Sequence, residues 1–230
     1  MNKNTARTDF ALENAESISG SVKGILISED TIDEAKITRI KITNDQGEKE
    51  MGKPRGTYIN IELPRFTSSA GLDKKVAKLL SCELDHLLPP KRHCVLVVGL
   101  GNTEITPDAL GPKTANRVLA TRHISRDLAA KLGLLEIKSV AVITPGVLGK
   151  TGIETKELIL AAAKSISPSA IIVIDALAAR SLSRLGSTVQ ISNSGINPGS
   201  GVGNSRAEIS QKSLGVPVIS VGVPTVVDAK

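Results

Sequence analysis

The spacing of apolar residues changes along the chain and divides it into two regions. Between residues 24 and 66, apolar and polar positions alternate, as in residues 58–63. A period of two is typical of strands with one face in solvent. From residue 72 the period becomes helical, with one apolar stripe at Leu72, Val76, Leu79, Leu80, Leu84 and Leu87. The change predicts an antiparallel β elaboration at about 24–66, ahead of a larger unit.

Predicted strands then alternate with helical segments. Strands are predicted at residues 95–98, 139–143, 170–174, 188–192 and 217–221, and helices at about 108–131, 151–165 and 176–184. The apolar runs at 95–98 and 170–174 are typical of strands buried on both faces, and strands separated by helices are joined in parallel. We therefore predict an α/β fold with a mostly parallel, twisted sheet, and a loose polar segment at residues 1–20.

Two acidic residues follow predicted strands. Asp108 comes after the strand that ends in the turn Gly99-Leu-Gly-Asn102, and Asp175 ends the strand that begins at residue 170. Open α/β sheets bind ligands at the carboxyl ends of their strands, so neighbouring strands would bring both acids together. Paired carboxyl groups have separated pKa values, so that one can deprotonate water and the other can protonate a leaving amine. The same pair could instead hold a metal, or each acid could cap a helix start.

Two nucleotide-binding patterns are incomplete. Gly149-Lys-Thr151 opens a helix after a strand, but Thr144 stands where a phosphate-binding loop needs glycine. Pro145 also removes a backbone N–H that such a loop would donate. The turn at Gly99 lacks the third glycine of a dinucleotide-binding motif, because position 104 is Glu104.

Two further groups of residues could form a binding site or could have only a structural role. Cys82, His86, His93 and Cys94 could bind zinc, but their spacing fits no standard finger, and we interpret them as core cysteines and loop histidines. The glycine-rich loop at residues 193–203 permits close approach of an extended chain or an anion, or is simply a surface loop.

Composition narrows the class of protein. The chain has 230 residues, 40% of them apolar, which suits one large domain or one domain with an elaboration. Its only aromatic residues are Phe10, Tyr58 and Phe66, which argues against nucleic-acid binding by base stacking. The net charge of +6 comes from scattered residues, as on a solvated surface. Two cysteines, and no apolar run of signal or membrane-spanning length, predict a soluble cytoplasmic protein with no membrane partner.

Several motifs, in order, resemble the germination protease family of spore-forming bacteria, whose members degrade small acid-soluble spore proteins. The motifs cover nearly the whole chain. They are residues 7–13, Gly52-Lys-Pro-Arg-Gly-Thr-Tyr-Ile59, 98–102 with 106–112, Thr121-Arg-His123, 144–152, Val173-Ile-Asp-Ala-Leu-Ala-Ala-Arg180 and 191–204. The resemblance implies an endopeptidase with the three-layer α/β/α fold of hydrogenase maturation proteases. It also implies that the two essential aspartates of the germination proteases correspond to Asp108 and Asp175 in this chain.

The resemblance also implies a zymogen that cuts itself between Asp9 and Phe10. Residues 1–9 would be a propeptide and residues 10–230 one peptidase domain, without the family's further C-terminal region. It implies spore proteins as substrates, a homotetramer in the spore interior and no cofactor, although a metal between the two aspartates stays an alternative. Secondary substrate contacts are predicted at Asn102, Asn193, Gly195, Gly199 and Gly201, and Asn193 stands where relatives are expected to carry aspartate.

Two alternative functions remain open. One is a nucleotide-binding protein that uses Lys150. The other is an enzyme like peptidyl-tRNA hydrolase, where Gly-Leu-Gly-Asn and Thr-Arg-His also occur. The separation of Asn102 from Thr121 is too long for the close spacing of that second family.

Overall fold

One eight-stranded sheet forms the centre of the computed structural model, which describes residues 8–18, 22–63, 74–131, 133–134, 137–199 and 206–227. The strands are β1 (Ile25–Ile32), β2 (Ala35–Ile42), β3 (Gly56–Glu62), β4 (Val95–Gly99), β5 (Val140–Ile143), β6 (Ala170–Ala179), β7 (Thr188–Ser192) and β8 (Val218–Val227). The helices are α1 (Ala11–Glu16), α2 (Asp45–Met51), α3 (Lys74–Leu87), α4 (Leu110–Ala115), α5 (Arg126–Lys131), α6 (Leu148–Thr151), α7 (Thr155–Ile166) and α8 (Gln211–Leu214), with 3-10 turns at Thr106–Asp108 and Leu182–Arg184.

The sheet is mixed: the predicted parallel strands and antiparallel elaboration are both present, but β7 joins the parallel strands in the antiparallel direction. Its strand order is β1-β2-β3-β7-β8-β6-β4-β5. The pairs from β8 to β5 are parallel, and those from β1 to β8 are antiparallel. The link between β6 and β7 (residues 180–187) is shorter than the dozen residues that a parallel crossover requires, so β7 is antiparallel to β6. The predicted β elaboration exists, and β3 joins it to the main sheet through β7.

Two predicted helices are wrong in extent. Residues 108–131 do not form one helix, because Thr121 fixes the chain between α4 and α5 to the start of β5. Its hydroxyl donates to the carbonyl of Lys138 and accepts from the N–H of Val140. No helix follows Asp175, because β6 continues to Ala179 and pairs with β8 over its whole length. In that segment, pairing with a distant strand overrides the helix preference of an alanine-rich run.

The N-terminal region is more ordered than predicted. Phe10 is fully buried, and α1 follows it directly. The helix α2 begins after Asn44, whose side chain accepts a hydrogen bond from the N–H of Gly47 at 2.9 Å. Residues 1–7 of the predicted propeptide lie outside the described residues.

Helices cover both faces of β4. Leu96 and Val98 of β4 pack with Ile159 of α7, whereas Val97 packs with Ala115 of α4. The predicted apolar stripe of α3 is confirmed at its described positions, which pack against β2, β3, β7 and β8. Among the helices in the described part of the chain, none combines the length and apolar character needed to cross a bilayer.

Candidate active site

The chain turns sharply where it leaves β4, beside β6. The N–H of Leu100 donates to the carbonyl of Ile174 at 2.8 Å. Gly101 has φ +117°, and a Cβ there would lie 2.0 Å from the carbonyl oxygen of Asp108. A Cβ on Gly111 would lie 2.1 Å from the carbonyl oxygen of Leu100. Glycine at both positions therefore lets α4 and the turn that carries Asp108 pack directly against the strand ends.

Asp108 lies half-buried in this turn. Its Oδ2 accepts a hydrogen bond from the backbone N–H of Asn102 at 2.7 Å. Burial raises the pKa of Asp108, and the bond from Asn102 acts in the opposite direction because it stabilises the carboxylate. The carboxylate thus has a fixed position and still reaches solvent through the cleft.

Asp175 lies in the middle of β6, not at its end, and only 6% of its surface is exposed. Its Oδ1 accepts from the N–H of Ala176 at 2.8 Å. The pKa of Asp175 is raised to about 8, mainly by burial and also by the negative charges of Asp108 and Asp9, while the hydrogen bond from Ala176 acts to lower it. At neutral pH the pair therefore consists of a protonated Asp175 and an accessible carboxyl group at Asp108.

Both acids line one cleft of about 880 Å³. Gly195 and Gly199, two of the predicted substrate contacts, also line it. Gly201 is outside the described residues. Asn102 and Asn193 are not among the described residues that form its wall; Asn193 instead accepts a hydrogen bond from the N–H of Thr57 at 2.8 Å and joins β3 to β7. The substrate contacts stay predictions.

The N-terminal segment reaches the same cleft, where Asp9 is hydrogen-bonded to Ala178 of β6. The N–H of Asp9 donates to the carbonyl of Ala178, and the N–H of Ala178 donates to Asp9 Oδ2, both at 2.9 Å. Phe10 packs with Leu177 and Ala179. Asp9, on the amino side of the bond where self-cleavage is predicted, therefore lines the cleft that contains Asp108 and Asp175, and Phe10 is fully buried beside it.

Lys53 and Gln190 are site residues that the sequence did not reveal. Lys53 Nζ donates to the carbonyl oxygen of Asp9 at 3.0 Å, and Gln190 Nε2 donates to the same oxygen at 3.3 Å. Lys53 belongs to the motif at residues 52–59, in which no residue was assigned a role. Gln190 is one polar residue within a short strand, and nothing in its neighbourhood distinguishes it.

The other sequence candidates occupy different surroundings. Lys150 forms an ion pair with Glu104. Cys82 is exposed on α3, so its assignment to the core is wrong, whereas Cys94 is buried. His86 lies on the same helix as Cys82 and not in a loop. Within the described residues, no group of three or more His, Cys, Asp or Glu side chains is arranged to hold a metal.

The raised pKa of Asp175 predicts a stability that depends on pH. In the unfolded chain the Asp175 carboxyl group loses its proton near the ordinary pKa of 3.8, whereas in the folded chain it keeps the proton up to about pH 8. Its contribution to the free energy of unfolding is therefore complete below pH 3.8 and is lost as the pH rises through 8. Asn cannot ionise. We therefore expect Asp175→Asn to raise the free energy of unfolding increasingly between pH 4 and pH 8.

This effect is measured by urea unfolding in an Asp108→Asn background, which is expected to prevent self-cleavage. The Asp108→Asn chain is compared with the Asp108→Asn, Asp175→Asn chain at each pH. A difference between them that stays constant from pH 4 to pH 8 would contradict the raised pKa of Asp175.

Known proteins resemble this chain over almost all of its length. The model of a family described as germination protease matches residues 4–230. A germination protease of Caldanaerobacter subterraneus subsp. tengcongensis is 50% identical over 226 residues, covering 97% of this chain and 69% of the relative. One from Clostridium perfringens (strain ATCC 13124) is 44% identical, with 97% and 70% covered. One from Priestia megaterium is 43% identical, with 96% and 61% covered.

Proposed function

Because the chain belongs to the germination protease family, we propose that it is an endopeptidase that begins the degradation of small acid-soluble spore proteins during germination. Peptidase activity follows from the family. The observation that carries the finer proposal is that Asp9, whose carbonyl belongs to the predicted cleavage bond, lines one cleft with Asp108 and Asp175. This supports the proposal that the bond from Asp9 to Phe10 takes the place of a substrate bond.

The two aspartates would divide the work of hydrolysis. Asp108 is the more exposed and takes a proton from a water molecule, whose oxygen attacks the carbonyl carbon of the bond to be cut. Asp175 is protonated at neutral pH because burial raises its pKa to about 8, and it gives that proton to the leaving nitrogen. Each bond made and broken is balanced, since one carboxyl group gains the proton that the other loses.

The same reaction within the chain would remove the propeptide, residues 1–9. The segment Thr8-Asp-Phe-Ala-Leu-Glu13 has an acidic residue before an apolar one at the predicted cut, as the spore-protein sites are expected to have. We further propose a homotetramer in the spore interior, a three-layer arrangement like that of hydrogenase maturation proteases, and hydrolysis by the two carboxyl groups without a cofactor.

The peptide Thr-Glu-Phe-Ala-Ser-Glu tests this function directly. We expect the protein to cut it between Glu and Phe, and we expect EDTA to leave the rate unchanged. The control protein is Asp85→Asn, in which a surface carboxylate paired with Arg92 becomes neutral. Absence of cleavage by the wild-type chain, or equal cleavage by an Asp108→Asn, Asp175→Asn double variant, would refute the proposal.

A further inference from the structure

The carbonyl oxygen of Asp9 lies between two side-chain donors. The ammonium of Lys53 is 3.0 Å away and the amide nitrogen of Gln190 is 3.3 Å away. The backbone of Ala178 holds Asp9 from the other side, through its carbonyl and its N–H. The oxygen of the predicted cleavage bond is therefore fixed and faces positive charge.

The turn that carries Lys53 is held in place by its neighbours. Gly52 ends α2 with φ +60°, a conformation that glycine adopts without strain. The hydroxyl of Tyr58 donates to the carbonyl of Pro54 at 2.7 Å, which fixes the other side of the turn. Lys53 is half-buried, and its burial lowers the pKa of the amine while the charge of Asp9 raises it. Partial desolvation strengthens the attraction between an ammonium and an oxygen that gains negative charge.

Gln190 is aligned with Asp175 across the sheet. Gln190 of β7 pairs with Gly222 of β8, and Gly222 pairs with Asp175 of β6. Residues in register on adjacent strands point to the same face, so both side chains reach the cleft. The Gln190 Oε1 accepts from the N–H of Ala11 at 2.8 Å, and this bond directs Nε2 toward the Asp9 carbonyl.

We infer that Lys53 and Gln190 form the oxyanion-binding site of this peptidase. The inference rests on the proposed function. When water adds to the carbonyl carbon, negative charge gathers on the oxygen that both donors already contact, and fixed donors stabilise that charge without reorganising. Neither donor gives up a proton. Once residues 1–9 leave, the same two groups receive the carbonyl of a substrate bond.

Self-cleavage of Lys53→Met tests the inference. Methionine keeps the length of the side chain and removes the charge and the donor. We expect the first-order rate of cleavage at Asp9–Phe10, followed by intact mass, to fall by roughly 10²- to 10³-fold. Lys53→Arg, which keeps a charged donor, should recover part of the rate. Lys49→Met, at an exposed position of α2, is the matched control and should cleave at the wild-type rate.

A spectroscopic measurement shows whether the donor contacts the carbonyl, without relying on activity. Phe10 is the only phenylalanine that follows an aspartate, so labelling with ¹³C-carbonyl aspartate and ¹⁵N-phenylalanine gives one coupled NMR signal. It is recorded in an Asp108→Asn background, where the bond should stay intact. Lys53→Met should move the Asp9 carbonyl resonance upfield, as expected when a hydrogen bond is lost, whereas Lys49→Met should not move it.

The possible failures can be told apart. A Lys53→Met chain that cleaves within about threefold of wild type would overturn the oxyanion assignment and leave the peptidase intact. An unchanged Asp9 resonance would overturn it as well. A wild-type chain that never cuts itself or the test peptide would overturn the proposed function, and the assignment with it.

Discussion

Replacing Asp175 with Asn is expected to slow peptide cleavage by roughly 10³- to 10⁴-fold, because the amide cannot supply the proton that the leaving nitrogen needs. Asp108→Asn should cause a loss of similar size, since its amide cannot accept a proton from water. If both act in one step, the double variant should be about as slow as either single variant. Initial rates with the peptide Thr-Glu-Phe-Ala-Ser-Glu measure all three.

The Asp→Asn substitutions change little except the ability to exchange a proton. Side-chain size is nearly constant, so circular dichroism and thermal unfolding are expected to show a folded chain in each case. Asp85→Asn, at the surface, should keep the wild-type rate. Rates within about tenfold of wild type for both Asp108→Asn and Asp175→Asn would contradict the assignment of acid and base.

Arg184→Met is expected to lower the free energy of unfolding by about 3 to 5 kcal/mol. The guanidinium is buried among three carboxylates: Glu16 at 2.6 Å, Glu62 at 2.9 Å and Glu13 at 3.4 Å. Only 3% of Glu13 is exposed, so removing Arg184 leaves a buried negative charge that has lost its ion-pair partner, while the N–H groups of Arg180 and Ser181 still donate to it. Urea unfolding at pH 7 measures the loss.

A surface arginine provides the control for Arg184. Arg55 pairs with Asp45 and Glu48, but its side chain is half exposed, so Arg55→Met should cost less than about 1 kcal/mol. An equal and small effect of the two substitutions would contradict the role of Arg184. Because Glu13 lies in α1, just after the bond proposed to be cut, Arg184→Met should also slow the proposed self-cleavage by loosening the segment at the cleft.

The features that the sequence predicted depend on local patterns. The apolar stripe of α3 and the strand before Gly99 follow from residue spacing alone, and they correctly bring Asp108 toward Asp175. The ordered motifs indicated the germination protease family, and the family match confirms it. Motif order carries this information because each short motif is common but their succession is not.

The features that the sequence missed depend on partners far along the chain. The segment after Asp175 stays a strand only because β8 pairs with it, more than forty positions later in the sequence. The burial of Phe10 requires Leu177 and Ala179. Lys53 and Gln190 contact the same carbonyl oxygen although 137 positions separate them in the sequence. The local spacing of apolar and polar residues carries no information about such a long-range contact.

The central claim is that Asp108 and Asp175 hydrolyse the bond between Asp9 and Phe10. Intact mass spectrometry of the full chain, followed over time at mildly acidic pH, tests it most directly. The account predicts loss of residues 1–9 in the wild-type chain and in Asp85→Asn, and an uncut chain in Asp108→Asn and in Asp175→Asn. A wild-type chain that stays whole, or an Asp→Asn chain that is cut at the same bond and rate, would contradict it.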